Sequence, residues 1–153
     1  MHFIRKPKLG RIDGEAAGDR SGRASISNDG SFVAIGGPHN NNNGNFSGHV
    51  RVFQNINGNW TQLGQDLQGS AEDDQLGSSV SINSNGSIVA TGAPGLFFGT
   101  EPGYARVYQF DGNGWIQLGQ DIEGESAGDL FGIGVSLSGD GSTRKDKFLK
   151  KNL

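Results

Sequence analysis

The sequence predicts an all-β protein, and three observations predict it. Gly supplies 27 of the 153 residues while only 33% are hydrophobic, a balance that suits many short strands joined by turns. No stretch carries the three-and-four spacing of an amphipathic helix. Most telling, the chain repeats itself: Arg51 and Arg106, Trp60 and Trp115, Leu63 and Leu118, and Gly77 and Gly132 each stand 55 residues apart. The stretch "QLGQDLQG" at 62–69 returns as "QLGQDIEG" at 117–124, and a shortened copy, "KLGRIDG", lies at 8–14.

One unit reads as four strands in order. In the second copy these are "SSVSIN" (78–83), "SIVATGAP" (87–94), "YARVYQF" (104–110) and "WIQLGQDI" (115–122). Each run is short, rich in β-branched or aromatic residues, and bounded by Gly, Asn, Asp or Pro. The pairs Asp29-Gly30, Asn57-Gly58, Asn85-Gly86 and Asp111-Gly112 punctuate the strands, because tight hairpin turns need positive φ, which Asn, Asp and Gly tolerate. Trp60 and Trp115 open the fourth strand, and "LGQDLQG" is expected to carry the chain from there to the first strand of the next unit.

Four antiparallel strands per unit make the blade of a β-propeller. The expected fold is therefore a partial β-propeller: two complete four-stranded blades of a 55-residue repeat, at about 23–66 and 78–121, plus partial flanking strands. The repeat region spans 13–142, and a third blade begins at 133. Residues 1–12 form an off-pattern basic segment, and 143–153 form a basic tail expected to be disordered. Gly48-His49 precedes a strand, but no Trp-Asp pair follows, and the period is too long for blades of the WD type.

The ordered set of Phe131-Gly132, Leu76-Gly77 and Ser21-Gly22, each followed by a strand pair, then Gly92-Ala93-Pro94 or Gly36-Gly37-Pro38, resembles the FG-GAP repeat. That repeat is the blade unit of the propeller at the head of integrin α-subunits, here in the variant found in large repeat proteins of marine microbes and algae. The resemblance covers roughly residues 9–142. It implies a fragment of a longer propeller protein, extracellular or on the cell surface, in which blade loops hold a protein or glycan ligand. Integrin-type repeats often carry a calcium loop between the two motifs. At that place this chain has "SISNDGS" (25–31), "SINSNGS" (81–87) and "SLSGDGS" (136–142). Each offers at most one carboxylate, whereas calcium takes about six to eight oxygens, so these segments read as hairpin turns.

Charge narrows the function classes. Residues 13–141 hold fifteen acidic residues against four basic ones, and the basic excess sits in the two end segments. An acidic body repels phosphate backbones, so nucleic acid is not an expected partner. No apolar run is long enough to span a membrane, and the first residues lack the apolar stretch of a signal peptide. Cysteine is absent, which removes disulfides and thiolate metal sites. His2, His39 and His49 show no metal-ligand spacing.

Among the carboxylates, Asp19, Asp74 and Asp129 recur at the connections between units. They are weak metal candidates, for calcium if for any ion. Recurrence in every copy is what architecture requires, so the main expectation is that each accepts backbone N–H groups in its own turn. Arg51 and Arg106 are expected in ion pairs within their blades or on the strand surface. The loops between second and third strands differ between copies, which is where unit-specific binding belongs: "PHNNNNGNFSG" (38–48) is polar and expected to be mobile, whereas "PGLFFGTEPG" (94–103) presents Phe97 and Phe98 as a contact site. No hydrolase triad, phosphate loop or nucleotide fingerprint is present. The expected function is a non-enzymatic structural or adhesion-type interaction module with no cofactor, prone to self-association where its terminal blades lie open. Calcium-dependent binding and a fragment of a propeller hydrolase or lyase are the alternatives.

Overall fold

The computed structural model describes residues 10–95, 100–142 and 144–146. Among them the secondary structure is strand and turn, with no helix. The first sheet is formed by β1 (Arg23–Ile26), β2 (Phe32–Gly37), β3 (His49–Ile56) and β4 (Asn59–Gln62), with β5 (Leu67–Gln68) returning to β3. The second repeats it with β6 (Ser79–Ile82), β7 (Ile88–Ala93), β8 (Tyr104–Phe110) and β9 (Trp115–Gln117), and β10 (Ile122–Glu123) returns to β8. All pairings between these strands are antiparallel, and neither sheet closes on itself. A third pair, β11 (Val135–Leu137) and β12 (Arg144–Asp146), follows. The sequence assigns 144–146 to a disordered tail; the structure pairs them with β11 instead.

The turns form as the residue types require. Ser27, Asn28, Asp29 and Gly30 close the β1–β2 hairpin with a Gly30 N–H to Ser27 carbonyl bond of 3.0 Å, and Gly30 takes φ 75°. Asp29 accepts the Ser31 amide at 3.0 Å and hydroxyl at 2.6 Å. In the second sheet Asn85 accepts the same two groups of Ser87, and beyond it Asp140 accepts those of Ser142. A neutral amide makes the bonds that the two carboxylates make, so the chemistry is that of a hairpin turn.

The fourth strand differs from the sequence reading. "WIQLGQDI" is not continuous: Leu118 still donates to the Val107 carbonyl at 2.7 Å, then Gly119 turns through φ 73° and the chain rejoins β8 at Ile122, opposite Ala105. Gly64 does the same in the first sheet, and Leu67 rejoins opposite Val50. The recurrent stretch is thus a loop thrown out from one sheet, followed by renewed pairing with the same sheet.

Successive sheets pack against each other through equivalent contacts. Ser25 accepts the Ile82 amide at 3.0 Å, and Ser81 accepts that of Leu137 at 3.0 Å. A Cβ on Gly36 would lie 2.1 Å from the Gly77 carbonyl oxygen, and one on Gly92 would lie 1.7 Å from that of Gly132. The backbones meet at these points because no side chain intervenes. The thrown-out loop completes the joint. Gln65 donates to the Trp115 carbonyl at 2.7 Å and accepts its amide at 2.9 Å, and the indole of Trp115 donates to the Leu63 carbonyl at 2.8 Å. The core runs through this interface, joining Ala34, Val50, Val52 and Leu67 of the first sheet to Ile82, Val89, Tyr108 and Trp115 of the second.

Candidate functional site

The segments that lead into each sheet, 14–22, 69–77 and 124–132, bring acidic residues to one place in each repeat. Their backbones match: the residue after the recurrent aspartate is left-handed each time, with φ of 52° at Arg20, 56° at Gln75 and 53° at Leu130. The aspartates cap their own turns. Asp19 accepts the Ala16 amide at 3.1 Å, Asp74 accepts those of Ser70 and Ala71 at 2.8 and 2.9 Å, and Asp129 accepts that of Ser126 at 2.9 Å. These bonds organise the step between sheets.

What surrounds each aspartate is not repeated. In the second copy the first residue of β8, Tyr104, donates its hydroxyl to Asp74 at 2.7 Å, and burial with that bond raises the phenol's pKa. A cleft of about 540 Å³ opens beside it, lined among others by Glu72, Asp73, Glu101 and Glu123. In the first copy His49 stands where Tyr104 stands and Glu15 where Ser70 stands. The imidazole is too short to reproduce the tyrosine's bond. His49 is 1% exposed, its Nδ1 has no hydrogen-bond partner, and the nearest carboxylate oxygen, Glu15 Oε2, lies 3.4 Å away. Burial lowers the pKa of His49, against the pull of Asp66 and Glu15, and so favours the neutral ring.

The loop 38–48, expected to be mobile, turns its side chains onto this site. Asn40, 1% exposed, donates to Asp19 at 3.0 Å and to Glu15 at 3.4 Å. Asn42 donates to Glu15 at 3.0 Å, and Asn41 accepts the Phe46 amide at 2.8 Å. The other variable loop carries Phe97 and Phe98, which lie outside the described residues.

The two arginines also part company. Arg106 is 8% exposed and holds Asp121 with two bonds, Nε to Oδ1 at 2.7 Å and Nη2 to Oδ2 at 2.6 Å. Burial opposes the guanidinium's charge, but Asp121 and Tyr108 outweigh it and raise its pKa. The Arg106 bonds in turn hold Asp121 below its ordinary range. Arg51 instead donates to the Asp13 carbonyl at 2.7 Å, while its face covers the Phe53 ring at 5.2 Å. The bulge at Gly119 swings Asp121 over Arg106; the sequence puts the two at 15 residues' separation and shows no reason for them to meet.

Of the residues singled out from sequence, only Asp19 joins a group with metal-ligand geometry: Glu15, Asp19 and His49 present ligand atoms all within 4.8 Å of one another. Asp74 and Asp129 join no such group among the described residues. Sequence spacing misses His49 because Glu15 and Asp19 lie 34 and 30 residues upstream and Asp66, 3.9 Å from Nδ1, lies 17 downstream. The available signal is the repeat itself, in which His49 replaces an aromatic hydroxyl and Glu15 a serine. Among the described residues no helix is long and apolar enough to cross a membrane. Comparison of the chain with protein-family models and with curated proteins finds no match.

Proposed function

We propose that this chain is a partial β-propeller of FG-GAP-like blades acting as a non-enzymatic structural or adhesion-type interaction module, in which stacked units present variable loops to a protein or glycan. By its family resemblance the setting is extracellular or the cell surface. The observation that carries the reading is the contrast between Ile26 and Ile82, which occupy the same repeat position. Ile82 is 7% exposed because the first sheet packs over it, and Ile26 is 59% exposed. The joint loop shows the same contrast. Gly64 is pressed against Trp115, whereas a Cβ on Gly119 would meet nothing within 4 Å. A unit that buries its faces only against another unit is the building block of a repeat array.

The test is to insert a duplicate of residues 78–132 after Gly132. The added tryptophan then meets the Gly119 loop, and the longer chain unfolds in one transition with a higher midpoint and a steeper denaturant dependence. An unchanged midpoint, or a separate second transition, would overturn the reading.

A further inference from the structure

We propose that Glu15, Asp19 and His49 form a binding site for one divalent first-row transition-metal ion, of which zinc is the representative. Two independent observations meet here. The first is the convergence of three ligand atoms within 4.8 Å of one another. The second is the Nδ1 of His49, buried and without a hydrogen-bond partner, which lies 3.4 Å from Glu15 Oε2. A cation seated between His49 Nδ1 and the Glu15 oxygen 3.4 Å away would take an electron pair from each.

The spacing fits. Tetrahedral zinc with bonds of about 2.0–2.1 Å to nitrogen and oxygen sets neighbouring ligand atoms about 3.3 Å apart. The 3.4 Å between Nδ1 and Glu15 Oε2 is already that edge. Asp19 closes the triangle, and Glu15, whose side chain is 40% exposed, has the freedom to adjust. The carboxylates are oriented from behind, as metal ligands are: Asn40 donates to both and Asn42 to Glu15. A Cβ on Gly37 would lie 2.8 Å from Nε2 of His49, so glycine there leaves room for the ring. Imidazole with two carboxylates suits zinc and its neighbours in the series, whereas calcium prefers oxygen alone.

The repeat supplies the comparison. At the same positions the second copy has Ser70, Asp74 and Tyr104, and there the hydroxyl hydrogen satisfies the aspartate. The first copy replaces that hydrogen-bond donor with an electron-pair donor and adds a second carboxylate. The aspartate stands in every unit and a glutamate at the Glu15 position in the first and third, as Glu15 and Glu125; the second copy has Ser70 and Tyr104 where the first has Glu15 and His49.

The experiment is calorimetric titration of the full chain with zinc, and separately with calcium, alongside Glu15→Gln and His49→Tyr. Glu15→Gln alters an exposed side chain and leaves folding intact, and His49→Tyr imitates the second copy. The expected result is one zinc per chain, affinity reduced at least tenfold in Glu15→Gln and abolished in His49→Tyr, and no calcium bound at this site. Cobalt in place of zinc then gives the visible absorption of a four-coordinate ion, lost in His49→Tyr. Absence of zinc binding, or zinc affinity unchanged in Glu15→Gln, would overturn the assignment, the latter whether or not His49→Tyr folds.

Discussion

Gly64 and the ring of Trp115 are packed so closely that a Cβ on residue 64 would lie 2.8 Å from the ring. The two residues belong to successive sheets, and the contact explains why "QLGQD" recurs: the stretch loops out of one sheet to grip the tryptophan of the next. Gly119 has the same φ of 73° and no neighbour, so it separates backbone strain from docking. Gly119→Ala is expected to cost about 1 kcal/mol for the left-handed conformation alone. Gly64→Ala adds overpacking against a buried ring and is expected to cost about 2–4 kcal/mol. Urea unfolding of both variants checks the difference.

The interface between sheets is glycine against glycine. Gly92→Ala drives a methyl group to within 1.7 Å of the Gly132 carbonyl oxygen, and the rigid backbone on the far side cannot yield as a side chain would. A loss of 3 kcal/mol or more is expected, at or beyond the upper end of overpacking effects of about 1–3 kcal/mol. Gly22→Ala, where a Cβ meets nothing within 4 Å, is the control, with an effect of about 0.4–1 kcal/mol in the stabilising direction. Melting temperatures of the pair decide the point.

Much of this was legible in the sequence, for a physical reason. A repeat whose turns are marked by Asp-Gly and Asn-Gly fixes strand order and pairing, because each turn reverses the chain locally. The break in the fourth strand was not legible. "WIQLGQDI" is a plausible strand by composition, and its break is local: Gly119, like Gly64, turns through a left-handed φ of 73°, and the bonds from Gln117 to Asp121 and from Gln62 to Asp66 span the two bulges. The aspartates were legible as architecture because they recur. His49 was not legible as a site because its partners arrive from the segment before β1, across a fold in the chain that local spacing does not encode.

The Arg106–Asp121 pair makes stability depend on acid. Asp121 has its pKa lowered by Arg106, so its contribution is complete above its ordinary value of about 3.9 and is lost as the pH falls through the lower folded value. Asp29 and Asp111 are also lowered, and Asp140 falls to about 2, which adds to the loss over the same range. Asp121→Asn is expected to cost about 2 kcal/mol at neutral pH, less than the roughly 3–5 kcal/mol of breaking a fully enclosed pair, because the Asp121 side chain is 24% exposed. Its stability falls less steeply below pH 4 than that of the parent. Urea midpoints from pH 2 to 7 measure both effects.

Ile26 and Ile82 distinguish an open face from a joined one. Replacing Ile82 with Thr puts a hydroxyl into the interface and is expected to cost about 1–3 kcal/mol, whereas Ile26→Thr, at a position 59% exposed, leaves stability within about 0.5 kcal/mol. Parallel denaturation curves at low protein concentration test this without interference from association.

The central claim is that these sheets are units built to be covered by further units. The most direct measurement is the molar mass of the purified chain by light scattering after size exclusion, with far-ultraviolet circular dichroism on the same peak. The account predicts a β-rich species at a multiple of 16.1 kDa, shifted toward the single chain by Ile26→Asp. A β-rich, cooperatively folded single chain at 16.1 kDa, unaltered by that substitution at high concentration, would contradict it.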